Sequence, residues 1–158
     1  FVYSYPPDTW RATIRNSLIS EAMDCLFCKI AHKEIPSEIV YEDGQTLAFL
    51  DIFPRAPGHA VIVPKQHAEN ILDLPDSLVA SLFLTVKRVT DILNKSLEPR
   101  GFTIGINHGK ISGQVIDHLH IHVIPRYDGD GGGSVHSVVN NPPKESIKDI
   151  ITKIKSVG

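Results

Sequence analysis

Residues 118–122 read His118-Leu119-His120-Ile121-His122, followed by Val123, Ile124 and Pro125. Alternation of polar and apolar residues suits a β-strand, whose side chains point to opposite faces in turn. On such a strand His118, His120 and His122 share one face, each about 6.6 Å from the next. Leu119, Ile121 and Val123 take the other face and are expected to enter a core. Ser, Thr or Lys would serve for an ordinary polar face. Three imidazoles in a row imply chemistry, because histidine changes charge near neutral pH and also ligates metals. Two readings follow from these residues alone: a metal site, or a nucleophile with supporting histidines.

The whole chain narrows the partners. Its 158 residues suit one domain with a real core. A net charge of −2 offers no basic footprint for duplex nucleic acid, which leaves a partner carrying one or a few phosphates. No apolar run reaches the length of a membrane span, so no membrane partner is expected. Two cysteines, Cys25 and Cys28, do not make a secreted disulfide framework, and a cytoplasmic location is expected. The chain starts at Phe1 rather than Met, so a segment before it is expected to be missing, and organellar targeting by that segment stays open.

Punctuation along the chain divides it into short strands and helices. Residues 1–23 read as an arm and a helix, with Trp10, Ile14, Leu18 and Ala22 at helical spacing after Asp8-Thr9. Residues 24–158 form the domain. Strands are expected at Glu38–Tyr41 and Thr46–Leu50 around the Asp43-Gly44 turn, then at His59–Val63 ahead of Pro64. Asp76 or Ser77 is expected to cap a long helix running to about Leu97, where Pro99 and Gly101 end it. Phe102–Ile106 and Leu119–Ile124 read as further strands, and Gly129 through Gly133 as a flexible loop. A last helix is expected over about Glu145–Val157, with Ile147, Ile150, Ile151 and Ile154 on one face. Hairpins without a repeated βαβ pattern give an α+β fold with an antiparallel sheet of about five strands, a long helix and a C-terminal helix.

Further polar residues accompany the histidine run. Cys25-Leu26-Phe27-Cys28 is a C-x-x-C pair that suits buried thiols, a redox pair or half of a zinc site. Spacing does not choose which of the eight histidines would complete a zinc site. His59 enters an apolar strand and His67 follows its end. Asp51, after Leu47-Ala-Phe-Leu50, suits either a turn before Pro54 or a carboxylate for ribose hydroxyls. Between Asn107 and Gln114, Gly109 and Gly113 let backbone N–H groups converge on an anion, and the two amide side chains add donors. Directly ahead of aligned histidines, this stretch reads as a phosphate cradle.

Together these stretches resemble the histidine triad (HIT) superfamily, in its Hint-like, zinc-containing branch. The resemblance rests on His118-Leu-His120-Ile-His122-Val-Ile, Cys25-Leu-Phe-Cys28-Lys29-Ile30, Glu34-Ile-Pro-Ser37, Ala48-Phe-Leu-Asp51-Ile52, and Gly58-His59 with Pro64-Lys65-Gln-His67. These motifs stand in family order over roughly residues 24–127.

The resemblance implies a nucleotide hydrolase or transferase acting at an α-phosphate through a nucleotidyl-histidine intermediate. Hydrolysis of adenosine phosphoramidates comes first. Dinucleoside polyphosphate hydrolysis, or a nucleotide-binding interaction module with weak catalysis, are the alternatives. It implies His120 as nucleophile through Nε2, its Nδ1–H held by the His118 carbonyl, with His122 and His59 in the supporting network. Leu26, Phe27, Ile30, Phe49 and Ile52 would form the base slot and Asp51 would hold the ribose. Asn107, Gly113, Gln114 and Val115 would face the phosphate, Val115 standing where many relatives carry Ser. Cys25, Cys28, His67 and His118 would bind one structural zinc per chain, and no catalytic metal is required. A purine nucleotide partner and a homodimer that joins two sheets into one are also implied.

Overall fold

The computed structural model describes residues 24–157. The helix expected around Trp10 to Ala22 lies outside them. The described chain runs α1 (Leu26–Ala31), β1 (Ile39–Glu42), β2 (Thr46–Leu50), β3 (Ala60–Pro64), α2 (Asp76–Leu97), β4 (Gly101–Gly105), β5 (Ile121–Arg126) and α3 (Ile147–Lys155). Short 3₁₀ turns sit at Lys110–Ser112 and Val135–Ser137. The five strands form one sheet in the order β1-β2-β3-β5-β4, and every neighbouring pair is antiparallel. The α+β class and the five-stranded antiparallel sheet agree with the sequence reading.

Period-two patterning builds a layer on each face of this sheet. On one face Ala48, Ala60, Ile62, Leu119, Ile121 and Val123 pack with Leu82, Val86, Val89 and Leu93 of α2. On the other, Leu47, Phe49, Val61 and Val63 pack with Phe27, Ile30 and Ala31 of α1. The histidines of residues 118–122 alternate with Leu119 and Ile121. They therefore fall on the α1 side, away from the long helix.

Local chemistry fixes the joints. Asp43 Oδ1 accepts bonds from the backbone N–H of Gln45 (2.9 Å) and of Thr46 (2.8 Å), which closes the expected β1–β2 hairpin. The hydroxyls of Thr46 and Thr85 meet at 2.8 Å and tie the sheet to α2. Gly58, with φ of 82°, takes a left-handed conformation where a Cβ would collide with Leu97 of α2. That close approach sets the chain up to place His59.

Several boundaries differ from expectation. No side chain caps α2: Asp76 is its first residue, and Pro75 precedes it with its carbonyl accepting Leu78 N–H at 2.8 Å. Glu98 ends the helix in the left-handed region (φ 47°), one residue ahead of Pro99. β3 and β5 each begin later than the apolar pattern suggests, at Ala60 and Ile121. For β5 the reason is that His118 N–H turns to Ile116 O (2.8 Å) and Leu119 N–H to Ala68 O (2.6 Å), outside the sheet ladder. The loop over Gly129–Gly133 is tied down rather than free. Arg126 grips Asp130 through Nε (2.6 Å) and Nη2 (2.8 Å) and reaches Gly133 O (2.7 Å). Helix α3 is capped by Ser146, whose hydroxyl accepts Asp149 N–H, but none of its residues is buried. Its isoleucine face does not join the core.

Candidate active site and metal centre

The C-x-x-C pair sits at the start of α1, with Cys25 as its N-cap residue and Cys28 buried within its first turn. His67 follows β3, and His118 precedes β5. Their ligand atoms converge within 4.8 Å of one another. His118 Nδ1 lies 3.4 Å from Cys25 Sγ and 3.5 Å from Cys28 Sγ, and His67 Nδ1 lies 3.4 Å from Cys28 Sγ. A tetrahedral zinc with ordinary Zn–S and Zn–N bonds holds sulfur and nitrogen about 3.5 Å apart, so the spacing fits. His118 Nε2 meets the Pro64 carbonyl at 2.9 Å. A carbonyl only accepts, so this nitrogen carries the proton and Nδ1 offers its lone pair toward the thiols. Burial pushes the Cys28 thiol up to about 12, with Cys25 beside it adding to the shift. Burial likewise brings His118 down to about 4 and keeps it neutral. Two apposed thiols, one of them buried, and two imidazoles are a donor set that a soft divalent cation satisfies.

The other histidines form a directed chain. The backbone N–H of Arg55 donates to His59 Nδ1 at 3.1 Å. In the neutral ring the proton therefore stands on His59 Nε2, which meets His122 Nδ1 at 2.9 Å. His122 then carries its proton on Nε2, available to a ligand. His120 Nδ1 lies 2.7 Å from the His118 carbonyl and must donate to it, which leaves the lone pair on His120 Nε2. The rings of His120 and His122 lie edge to face with centroids 5.0 Å apart. Burial, the neighbouring His120 and then His59 bring His122 down to about 4, against the pull of Asp51. Burial lowers His59 as well, helped by Arg55 and opposed by Asp51. The site holds an imidazole lone pair on His120 Nε2 beside an N–H donor on His122 Nε2.

The residues expected around this centre divide into three groups. Phe27, Ile30 and Phe49 lie together in the α1-side cluster, Phe27 packing edge-on to Phe49 at 5.6 Å and to His120 at 5.2 Å. Leu26 and Ile52 are exposed, Ile52 by 79%. Asp51 Oδ1 accepts Phe53 N–H at 2.8 Å, while its Oδ2 stands 3.7 Å from His59 Nε2. In the cradle, Gly109 and Gly113 both have positive φ, and the Asn107 amide lies against Gly113. Gln114 departs from expectation: its carboxamide is not a free donor. It is spent on Gly109 N–H (2.8 Å), Glu69 O (2.7 Å) and Ile116 O (3.2 Å), because the side chain turns inward. Val115 is 85% exposed, and among the described residues its N–H has no acceptor.

Sequence reasoning missed the backbone groups that orient the His59 and His118 rings and hold Leu119 between the histidines. Arg55 N–H, Pro64 O and Ala68 O do their work without side chains, so residue identity carries no direct sign of them. The cramped Pro54-Arg-Ala-Pro-Gly58 stretch ahead of His59 is the available hint that a main-chain group is forced onto that ring.

Comparison with known proteins agrees with this geometry. The HIT domain family matches residues 32–129. An adenosine 5'-monophosphoramidase of Candida albicans is 40% identical over 108 residues, covering 66% of this chain and 71% of that protein. The crystal structure of a HIT family protein from Bacillus anthracis superposes with a TM-score of 0.75 at 33% identity, covering 85% of this chain and 94% of the other. A zinc-bound histidine triad family protein from Mycobacterium smegmatis superposes with a TM-score of 0.65 at 28% identity, covering 87% and 99%. A matching family domain, a shared fold and a triad built as described lead to one conclusion: the chain belongs to the histidine triad (HIT) family.

Proposed function

We propose that this protein hydrolyses, or transfers, a nucleotide at its α-phosphate, with adenosine phosphoramidates as the preferred substrates. The observation that carries the proposal is the paired tautomers: His120 Nε2 holds a lone pair while His122 Nε2 holds a proton. In this scheme His120 Nε2 attacks phosphorus, the P–N bond to the amine breaks, and the amine leaves with the bonding pair and a proton taken from solvent water. Water then cleaves the nucleotidyl-imidazole and frees His120. His122 donates to a phosphoryl oxygen as charge builds there, and His59 holds His122 in the required tautomer. The free N–H of Val115 and the Asn107 amide face the same phosphate. Phe27, Ile30 and Phe49 wall the base, with exposed Leu26 and Ile52 closing over it, and Asp51 receives the ribose hydroxyls. The Candida phosphoramidase supports this choice of substrate by its name.

Cys25, Cys28, His67 and His118 would hold one structural zinc. When bound, that ion supplies rigidity, cross-linking α1, the loop after β3 and the start of the triad. A homodimer is part of the proposal, supported by the open edge of β4 at the end of the sheet. No helix among the described residues is long and apolar enough to cross a membrane.

A substrate panel tests the activity. It compares AMP-lysine phosphoramidates, adenylyl sulfate and diadenosine polyphosphates, with His120→Ala as the blank. The phosphoramidates should turn over fastest, and the variant should lose at least about a thousandfold of the rate while keeping its fold. Equal turnover in the blank would reject the proposal. Preference for a diadenosine polyphosphate would reject the substrate class alone.

A further inference from the structure

Three consecutive residues after β3 serve three different parts of the site. His67 faces the thiols. The Ala68 carbonyl accepts Leu119 N–H at 2.6 Å, between His118 and His120. The Glu69 carbonyl accepts Gln114 Nε2 at 2.7 Å. Gln114 is only 6% exposed, and its carboxamide is fully used. Nε2 gives its second hydrogen to Ile116 O at 3.2 Å, and Oε1 accepts Gly109 N–H at 2.8 Å. Two carbonyls and one N–H fix the amide orientation, since the reverse would set donor against donor. The other bonds of the turn are local: Gly113 N–H to Lys110 O at 3.0 Å and Gln114 N–H to Gly109 O at 3.3 Å. Among the described residues, the Gln114 side chain is the hydrogen-bonded link from this turn to residues 67–69.

We infer that Gln114 is a positioning residue that couples the metal centre to the phosphate-facing turn, so that metal occupancy raises nucleotide affinity and bound nucleotide retains the metal. The nucleotide half of this rests on the binding site proposed above. A cation held by Nδ1 of both His67 and His118 clamps residues 67–69 against the triad segment. The Glu69 carbonyl is then fixed, and through Gln114 so is Gly109, where the turn begins. Val115, which follows Gln114 directly, offers its N–H from a frame already set. Coupling between two binding sites is reciprocal by necessity, so each ligand must raise the affinity for the other by the same factor.

The test uses zinc-loaded full-length protein, wild type and Gln114→Met, a change that keeps side-chain volume but removes both donors and the acceptor. The partition of zinc between the protein and a coloured chelator is measured at equilibrium with and without AMP, and amide hydrogen exchange is followed without nucleotide. In the wild type AMP should tighten zinc binding by roughly tenfold, and in Gln114→Met that protection should vanish. Exchange over residues 109–115 should quicken in the variant while residues 60–64, deep in the sheet, keep their protection. A Gln114→Glu variant should behave like Gln114→Met, because it retains an acceptor for Gly109 but no donor for Glu69. Equal AMP protection of zinc in wild type and variant, or unchanged exchange over 109–115, overturns the coupling. Wild-type protein that binds no AMP at all overturns the nucleotide half and the binding reading together, and the exchange comparison still decides the Gln114 tie.

Discussion

The division of labour among four imidazoles comes from what each ring nitrogen touches. His118 and His120 each give one N–H to a backbone carbonyl, yet opposite ring nitrogens are used, Nε2 on Pro64 and Nδ1 on His118. One lone pair is therefore turned to the thiols and the other to the open side of the site. The ring nitrogens used were not legible in the residues alone, which show three equivalent histidines and no main chain; only the His118 carbonyl on His120 Nδ1 was expected, from the family resemblance. Their shared face was legible, because Leu119, Ile121 and Val123 alternate with them and need a core. Buried His59 and half-buried His122 together also make a pH prediction. Both rings have folded-state values below the ordinary 6.5, His122 at about 4. As pH falls below about 6.5, the unfolded chain takes up these protons before the folded chain does. The stability they permit is thus fully present above about 6.5 and is lost as pH falls toward about 4. Urea unfolding at pH 7 and pH 5 should show a lower midpoint at pH 5, and His122→Gln should flatten that difference. An unchanged slope in the variant would mean that His122 titrates normally.

Among the elements, α1 is short, six residues with no side-chain cap, and its place depends on what its ends are fastened to. Phe27, Ile30 and Ala31 give it an apolar footing on the sheet. Cys25 and Cys28 then bring its first turn to His67 and His118 from two other parts of the chain. A metal there cross-links three segments distant in sequence. Binding to the folded state alone stabilises it by about 4 kcal/mol when free metal is a thousandfold above its Kd. Cys28→Ser should therefore lose stoichiometric zinc by elemental analysis and unfold at lower temperature, and added zinc should not restore it. If zinc content holds at one per chain, the ligand assignment is wrong. The sequence carried the cysteines plainly, but spacing alone did not pick His67 from eight candidates. That choice depends on where β3 ends and the chain turns back, a tertiary fact. The C-terminal helix shows the opposite case. Its apolar period was legible, yet the structure gives it no buried partner, because period reports a face and not what covers it.

At the scale of the whole molecule, two packed layers leave a narrow strip of the sheet free for chemistry. The α2 layer takes one face, while α1 and the histidines share the other. The apolar runs of β2 and β3 and the alternation of β5 were readable residue by residue, so the antiparallel sheet and its core were legible. The turn between Asn107 and Gln114 was readable as glycine-rich, but the inward fold of Gln114 was not. A polar side chain looks the same in sequence whether it meets a ligand or a carbonyl. The proposed chemistry stands on His120 Nε2 as the atom that takes the nucleotide. Rapid quenching during turnover of an adenosine phosphoramidate, in neutral to alkaline conditions that spare a P–N bond, followed by peptide mass spectrometry, would trap that bond. An adenylyl group on the peptide bearing His120, localised to that residue and absent from His120→Ala, is the expected result. Turnover at the wild-type rate in His120→Ala, or an adduct on another side chain, would contradict it.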